Sequence, residues 1–192
     1  AESTGVAIIP VVQVADIWRL KGSGLEVWAQ HVDDIEYGPN TGQTLPEAVM
    51  AAGAKGTLLN HSENKLPVEV IGGLVKRVKS LGLKVLVCAE SIDEGQQIAK
   101  FGPDFLAYEP PELIGGDVSV SAAKPELVRD FVAAVKPILV LVGAGIHTRE
   151  DVKKALALGA VGILVSSGIV LANDPQEKLL ELASSFKQDE TI

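Results

Sequence analysis

The stretch ILVLVGAGIHTREDVKKALAL, residues 138–158, contains one complete strand-turn-helix unit. Five consecutive apolar residues, 138–142, predict a strand that is buried on both faces. Gly143-Ala144-Gly145 then turns the chain, and Thr148 followed by Asp151 is a helix-capping pattern. The stretch therefore predicts a β-strand whose carboxyl end leads through a tight turn into an amphipathic helix.

The same unit repeats along most of the chain. The other apolar runs that predict strands are residues 6–9, 25–29, 56–59, 84–88, 105–108 and 161–165. Helices are predicted over residues 11–20 and from the start signals Thr44-Leu45-Pro46-Glu47, Pro67, Ser91 with Glu94, Lys124-Pro125-Glu126 and Asp174-Pro175 with Glu177. Gly53 and Gly82 are expected to end two of these helices. Strands that are separated by helices are expected to pair in parallel.

Seven strands alternating with seven helices indicate an α/β protein with a parallel sheet. Two architectures fit this pattern, an open doubly wound sheet and a (β/α) barrel. Glycine-rich loops and polar residues follow the carboxyl ends of many different strands, which favours a parallel (β/α) TIM barrel, where all such loops meet at one mouth. A doubly wound sheet would concentrate them at one switch point. No linker-like stretch divides the chain, so we expect residues 1–192 to form a single domain.

Composition limits the classes of function. Of the 192 residues 47% are apolar and 4% aromatic, so an aliphatic core is expected. The net charge of −8 disfavours nucleic acid as a partner. One cysteine, Cys88, rules out an internal disulfide, and without a His/Cys cluster we expect no metal. No apolar run is long enough for a membrane span, so we expect a cytoplasmic protein with no membrane partner.

Two residues at predicted strand ends could carry acid-base chemistry. His61 follows the strand of residues 56–59, and Glu109 follows the strand of residues 105–108 and precedes two prolines. A carboxylate in that position, before a glycine-containing loop, is typical of a base beneath a mobile lid. A lone loop histidine is more often a surface residue, and a glutamate in a turn is often merely solvated. Position alone leaves both interpretations open.

Three turns could bind an anion through backbone N–H groups. They are Gly115-Gly116, Gly143-Ala144-Gly145 and Ser166-Ser167-Gly168. Most such turns only reverse the chain. Two of them, however, follow adjacent predicted strands near the end of the chain, where barrels often bind phosphate. The combination indicates a phosphate site.

Several ordered motifs resemble triosephosphate isomerase of the archaeal type. They are Ala29-Gln30-His31-Val32-Asp33, Tyr37-Gly38 to Thr41-Gly42, Leu59-Asn60-His61-Ser62-Glu63, Ala107-Tyr108-Glu109-Pro110, Glu112-Leu113-Ile114-Gly115, Val142-Gly143-Ala144-Gly145-Ile146 and the strand from Gly162 to Gly168. The resemblance runs from residue 6 to near the end of the chain. It implies the interconversion of dihydroxyacetone phosphate and glyceraldehyde 3-phosphate, with no cofactor or metal.

The resemblance also implies roles for individual residues. Glu109 would move a proton between adjacent substrate carbons, and His61, as a neutral imidazole at a helix N-terminus, would polarise the carbonyl. The implied phosphate ligands are Gly115, Gly143, Ala144, Gly145, Ser166 and Ser167. The implied lid over residues 110–118 includes Pro110, Pro111, Glu112, Leu113, Ile114 and Gly116. Thr41 would lie in a loop that projects into a neighbouring subunit.

The chain departs from the family's pattern at one place. The family's barrel begins with a strand carrying an Asn-x-Lys pair, and no Asn-x-Lys occurs in these 192 residues. Asn64-Lys65 stands where many members carry an arginine after His-Ser-Glu, and Lys65 is expected to lie beyond the catalytic turn. We therefore expect seven βα units with the first strand-helix unit missing, and weak activity or none.

Open sheet edges lead to a further expectation and an alternative. Edges at residues 6–9 and 161–165 would expose unpaired backbone and apolar surface, so we expect a homo-oligomer. Besides an isomerase acting on triose phosphate, the sequence allows a catalytically silent oligomeric scaffold that binds phosphate or sulfate. Another phosphate-binding barrel enzyme is a third possibility, which Asn60-His61-Ser62-Glu63 and Tyr108-Glu109-Pro110 disfavour.

Overall fold

The computed structural model describes residues 5–110 and 119–186, and its strands form one parallel sheet. The strands are β1 (Val11–Val12), β2 (Trp28–Ala29), β3 (Gly56–Leu59), β4 (Lys84–Ala89), β5 (Phe105–Tyr108), β6 (Leu139–Val142) and β7 (Gly162–Ile163). They lie in the sheet in their order along the chain. In a doubly wound sheet the strand order changes direction at a switch point, and here it does not. The predicted (β/α) barrel architecture is therefore confirmed. Within the described residues β7 does not pair with β1, and the sheet is open.

Nine helices are described. They are α1 (Val14–Leu20), α2 (Pro46–Ala52), α3 (Val68–Ser80), α4 (Ile92–Ala99), α5 (Val120–Ala123), α6 (Pro125–Ala134), α7 (Arg149–Ala157), α8 (Ser167–Val170) and α9 (Pro175–Ser184). All seven predicted helices are present. The sequence did not predict α5 and α8, because four residues are too few to show an amphipathic period. None of the helices in the described ranges is long and apolar enough to cross a membrane.

The first strand lies further along the chain than predicted. The sequence predicts a strand at residues 6–9, which are all apolar, and a helix from residue 11, because the apolar residues from Val11 to Trp18 have helical spacing. In the structure the carbonyl of Pro10 accepts from Trp28 N–H at 2.9 Å and that of Val12 accepts from Gln30 N–H at 3.0 Å. A proline is tolerated at the start of an edge strand, where its missing N–H faces no partner. Strand β2 and the edge strand β7 are also shorter than the predicted residues 25–29 and 161–165.

Three of the predicted helix caps are confirmed. The side chains of Ser91, Thr148 and Asp174 each accept a hydrogen bond from the backbone N–H three residues later. Gly53 ends α2 in the left-handed conformation, with φ of 116°. Local sequence is sufficient for these features because the capping side chain and the N–H group that donates to it lie within one turn.

The start signal Thr44-Leu45-Pro46-Glu47 has the pattern of a capping box, and the prediction that Thr44 caps α2 is wrong. The residue before α2 is Leu45, and no side chain caps this helix. Instead the backbone of Thr44 is held by Asp33, whose Oδ2 accepts from Thr44 N–H at 2.6 Å and whose own N–H donates to the Thr44 carbonyl at 2.8 Å. These bonds close the base of the loop over residues 34–43, in which Thr41 is exposed.

Alternation along the strands divides the core into two clusters. The larger cluster lies between the sheet and the helices and includes Leu59, Val85, Val87, Leu106, Val140 and Val142 from the strands. The smaller cluster lies on the opposite, inner face of the sheet and consists of Trp28, Leu58, Leu86, Cys88 and Ala107. Because side chains alternate with period two, both faces of the middle strands are buried. The carboxyl ends of all strands therefore meet at one rim of this packed sheet.

Candidate active site

Glu109 is the first residue after β5, at the carboxyl rim. Its N–H donates to the carbonyl of Ala89 at 2.9 Å, which continues the pairing with β4 and fixes the backbone. The residue is only 5% exposed. Its side chain packs against Gly143, where an added Cβ would lie 2.7 Å from Glu109 Cγ. A glycine at position 143 is therefore needed to make room for the carboxylate.

The carboxylate of Glu109 is poorly solvated. Its Oε2 is buried and has no hydrogen-bond partner in the described part of the chain. Burial raises the pKa of Glu109 above its usual value, although a hydrogen bond from Cys88 and the charges of His61 and Lys65 oppose this. Burial disfavours the charged form, so the ionised carboxylate is a stronger base than one in water. Glu109 therefore fits the role of a proton acceptor.

Cys88 is a contact of Glu109 that the sequence analysis missed. Its pKa is raised well above the usual value, first by burial and then by the Glu109 carboxylate. The thiol is therefore protonated and donates a hydrogen bond to that carboxylate. The strand register could have revealed this contact. Cys88 in β4 pairs with Ala107 in β5, and both side chains lie on the inner face of the sheet. Glu109 lies two residues beyond Ala107 on that face.

Asn60 anchors the turn that carries His61. It is 1% exposed and adopts a left-handed φ of 57°. Its Nδ2 donates to the Cys88 carbonyl at 2.8 Å and to Glu94 Oε1 at 2.9 Å, and its Oδ1 accepts from Leu66 N–H at 2.9 Å. An asparagine tolerates this conformation better than most residues. The side chain thus ties both ends of the turn over residues 60–66 to β4 and α4.

The expectation that His61 lies at a helix N-terminus is wrong, because α3 does not begin until Val68. A turn takes its place, in which the carbonyl of His61 accepts from Asn64 N–H at 2.8 Å. The ring Nδ1 accepts from Glu63 N–H at 3.3 Å, so in this tautomer Nε2 carries the proton. His61 therefore has one ring N–H to donate to a ligand at the rim.

Lys65 lies closer to the site than the sequence suggested. Its Nζ is 2.7 Å from Glu94 Oε1 and 3.3 Å from Glu90 Oε2. Partial burial lowers the pKa of Lys65, but the two carboxylates outweigh it and the pKa is raised. A small cavity is lined by Asn60, Ser62, Lys65, Cys88, Ala89, Glu90 and Glu109. The structure therefore brings the His61 turn, the ion pair and the candidate base together around one cavity.

The two predicted anion-binding turns after β6 and β7 are in contact. A Cβ added to Gly168 would lie 2.9 Å from the carbonyl oxygen of Ile146. Gly145 has a left-handed φ of 66°, and the N–H of Gly143 donates to the Tyr108 carbonyl at 3.2 Å. The amide of Gly143 is therefore already occupied by the sheet. Phosphate binding by Ala144, Gly145, Ser166 and Ser167 stays a prediction.

The remaining predicted site residues lie apart from these contacts or outside the described residues. Pro110 is buried directly after Glu109. The other lid residues, Pro111, Glu112, Leu113, Ile114 and Gly116, and the predicted phosphate ligand Gly115 lie outside the described residues. In residues 5–110 and 119–186 no group of three or more His, Cys, Asp or Glu side chains could hold a metal ion.

Parallel strands in barrel order, with a buried carboxylate at the carboxyl rim, define a protein of the (β/α)-barrel class. Comparison with known proteins gives the family. The triosephosphate isomerase family model matches residues 2–185. A triosephosphate isomerase of Methanobacterium bryantii is 46% identical over 97% of this chain and 84% of its own length.

Two further relatives agree. A triosephosphate isomerase of Thermoplasma volcanium is 49% identical over 82% of this chain and 75% of its own length. One of Methanocaldococcus jannaschii is 43% identical over 95% of this chain and 85% of its own length. The chain belongs to the triosephosphate isomerase family, as the motifs predicted.

Proposed function

We propose that the chain interconverts dihydroxyacetone phosphate and glyceraldehyde 3-phosphate. Glu109 takes the proton from one substrate carbon and returns it to the neighbouring carbon, and the hydroxyl proton moves from one substrate oxygen to the other, so that ketone and alcohol exchange places. The Nε2–H of His61 donates a hydrogen bond to the substrate oxygen on which negative charge develops. Both roles match the positions of the family's motif in this chain.

The observation that carries this proposal is the buried Oε2 of Glu109, which has no partner in the described residues. A buried polar atom without a hydrogen-bond partner lowers the stability of the folded protein. Such atoms are therefore rare, and a catalytic role is one reason for their presence. Abstraction of a carbon-bound proton requires such a poorly solvated base. His61, on the turn that Asn60 anchors at the same cavity, supplies the complementary donor.

Turnover by this chain of 192 residues should be slow. The sequence holds no Asn-x-Lys pair to balance the substrate phosphate and the developing enediolate charge. Loss of one such donor typically costs about 3 kcal/mol, or about 10²- to 10³-fold in rate. In a steady-state assay coupled to a dehydrogenase we expect a rate below about a thousandth of that of an ordinary family member. An ordinary rate would contradict the proposal of weak activity, and no turnover at any concentration would favour the silent phosphate-binding scaffold.

Binding of the phosphate group should survive without that lysine, because the proposed donors are backbone N–H groups. We expect inorganic phosphate to bind weakly, with a dissociation constant in the millimolar range, and to raise the melting temperature. Titration calorimetry and thermal melting would measure this, with sodium chloride at equal ionic strength as the control. No heat and no shift relative to chloride would refute the phosphate site.

A further inference from the structure

Asp151, the third residue of α7, makes more contacts than a helix cap requires. Its Oδ2 accepts from the N–H groups of His147 and Thr148 at 3.2 Å and 2.9 Å, and from Thr148 Oγ1 at 2.8 Å. The N–H of Asp151 donates to Thr148 Oγ1 at 3.2 Å. One carboxylate oxygen therefore completes the cap and also holds the end of the turn over residues 143–148.

The second oxygen of Asp151 reaches a different part of the chain. Oδ1 accepts from Ser119 Oγ at 2.6 Å, and the Asp151 carbonyl accepts from Ser121 Oγ at 3.2 Å. The two serines are 1% and 2% exposed, and their hydroxyls are 3.1 Å apart. A capping box needs none of these bonds. They join the start of α5 to α7.

The Asp151 carboxylate is ionised under ordinary conditions. Burial raises its pKa, but the hydrogen bonds from Ser119, Thr148 and the backbone N–H groups outweigh burial and lower the pKa below its usual value. Hydrogen bonds to an ionised acceptor are shorter and stronger than neutral ones. The link between Ser119 and the turn is thus charge-assisted at both ends.

One of the two segments that Asp151 joins, the turn over residues 143–148, borders Glu109. The turn over residues 143–148 begins at Gly143, against which the Glu109 side chain packs. We propose that Asp151 is a positioning residue, whose carboxylate fixes the turn over residues 143–148 to the start of α5 and thereby sets the N–H groups that bind phosphate. This inference rests on the phosphate site of the proposed function.

Matched serine variants separate this role from simple stabilisation. Ser119→Ala removes the hydroxyl that reaches the carboxylate and leaves the cap at Thr148 intact. Ser121→Ala removes an equally buried hydroxyl whose partners among the described residues are the Asp151 backbone carbonyl and the Ser119 hydroxyl. Both variants should lower the melting temperature to a similar degree. We expect Ser119→Ala to weaken inorganic phosphate binding by about fivefold or more, and Ser121→Ala by less than about twofold.

Two measurements decide the outcome. If Ser119→Ala binds inorganic phosphate as tightly as the unchanged chain does, Asp151 is only a helix cap and the inference is overturned. Amide hydrogen exchange over residues 143–148 gives a readout that does not depend on phosphate. Faster exchange in Ser119→Ala than in Ser121→Ala supports the link, and equal exchange overturns it. Absence of phosphate binding in the unchanged chain would refute the phosphate site itself, and hydrogen exchange would then decide whether the link exists.

Discussion

Replacing Glu109 by glutamine is expected to lower isomerase turnover by about 10²- to 10⁴-fold. Glutamine keeps the shape that packs against Gly143 but cannot accept a proton from carbon. Because the pKa of Glu109 is raised, the acidic limb of the pH-rate profile should lie above the usual range of a glutamate. The dehydrogenase-coupled assay at high enzyme concentration measures both quantities.

A control variant shows whether loss of turnover is specific to the site. Asp130→Asn removes a carboxylate from the exposed side of α6 and should leave the rate unchanged. If Glu109→Gln retains turnover within a factor of ten, a different group is the base. In that case the buried, unpartnered Oε2 of Glu109 has another explanation, and the proposed mechanism is wrong.

Adding a family-type first strand and helix before Ala1, with its Asn-x-Lys pair, is expected to raise turnover by at least about 10²-fold. The inserted strand would lie between β7 and β1 and pair with both. Apolar side chains on both edges, Val11 on one side and Leu164 on the other, pack against the inner cluster and are only partly buried. The new strand would cover them, so the melting temperature should rise as well.

The same fusion with methionine in place of the lysine separates folding from chemistry. Methionine can pack but cannot balance phosphate charge, so this fusion should gain thermal stability without the increase in rate. Far-UV circular dichroism and melting should improve equally in both fusions. If both fold and neither turns over substrate, the assignment of Glu109 and His61 to catalysis is wrong.

The middle of the sheet could be predicted from sequence, and its edges could not. Strands β3, β4 and β5 are buried along most of their length and β6 is buried in part, so each reads as a mainly apolar run whose ends match the structure to within one residue. At the first strand, pairing with β2 is what makes residues 11–12 the strand and not residues 6–9. No local pattern reports which stretch of an edge strand finds a partner.

The candidate active site, like the sheet, could be predicted only in part from the sequence. Glu109 and His61 could be placed at strand ends because the strands before them were evident. The bonds that hold them join residues distant in sequence, such as Asn60 to Cys88 and Lys65 to Glu94. Only folding brings those groups together, so Lys65 was placed outside the site and Cys88 was overlooked. The helix beside His61 was expected from the family resemblance alone. In this chain a turn lies at that position.

The order of the strands also bears on how the chain folds. Every strand pair in the described sheet joins strands that are neighbours in the sequence. The formation of each strand pair therefore requires the closure of only one connecting segment. These segments are short, and the entropy lost on closing a loop increases with its length. Pairing of β7 with β1 would be the exception, because it would bring together nearly the two ends of the chain. Within the described sheet, which lacks that pairing, assembly can begin at any central strand pair and extend outward, as in repeat proteins whose units contact only their neighbours.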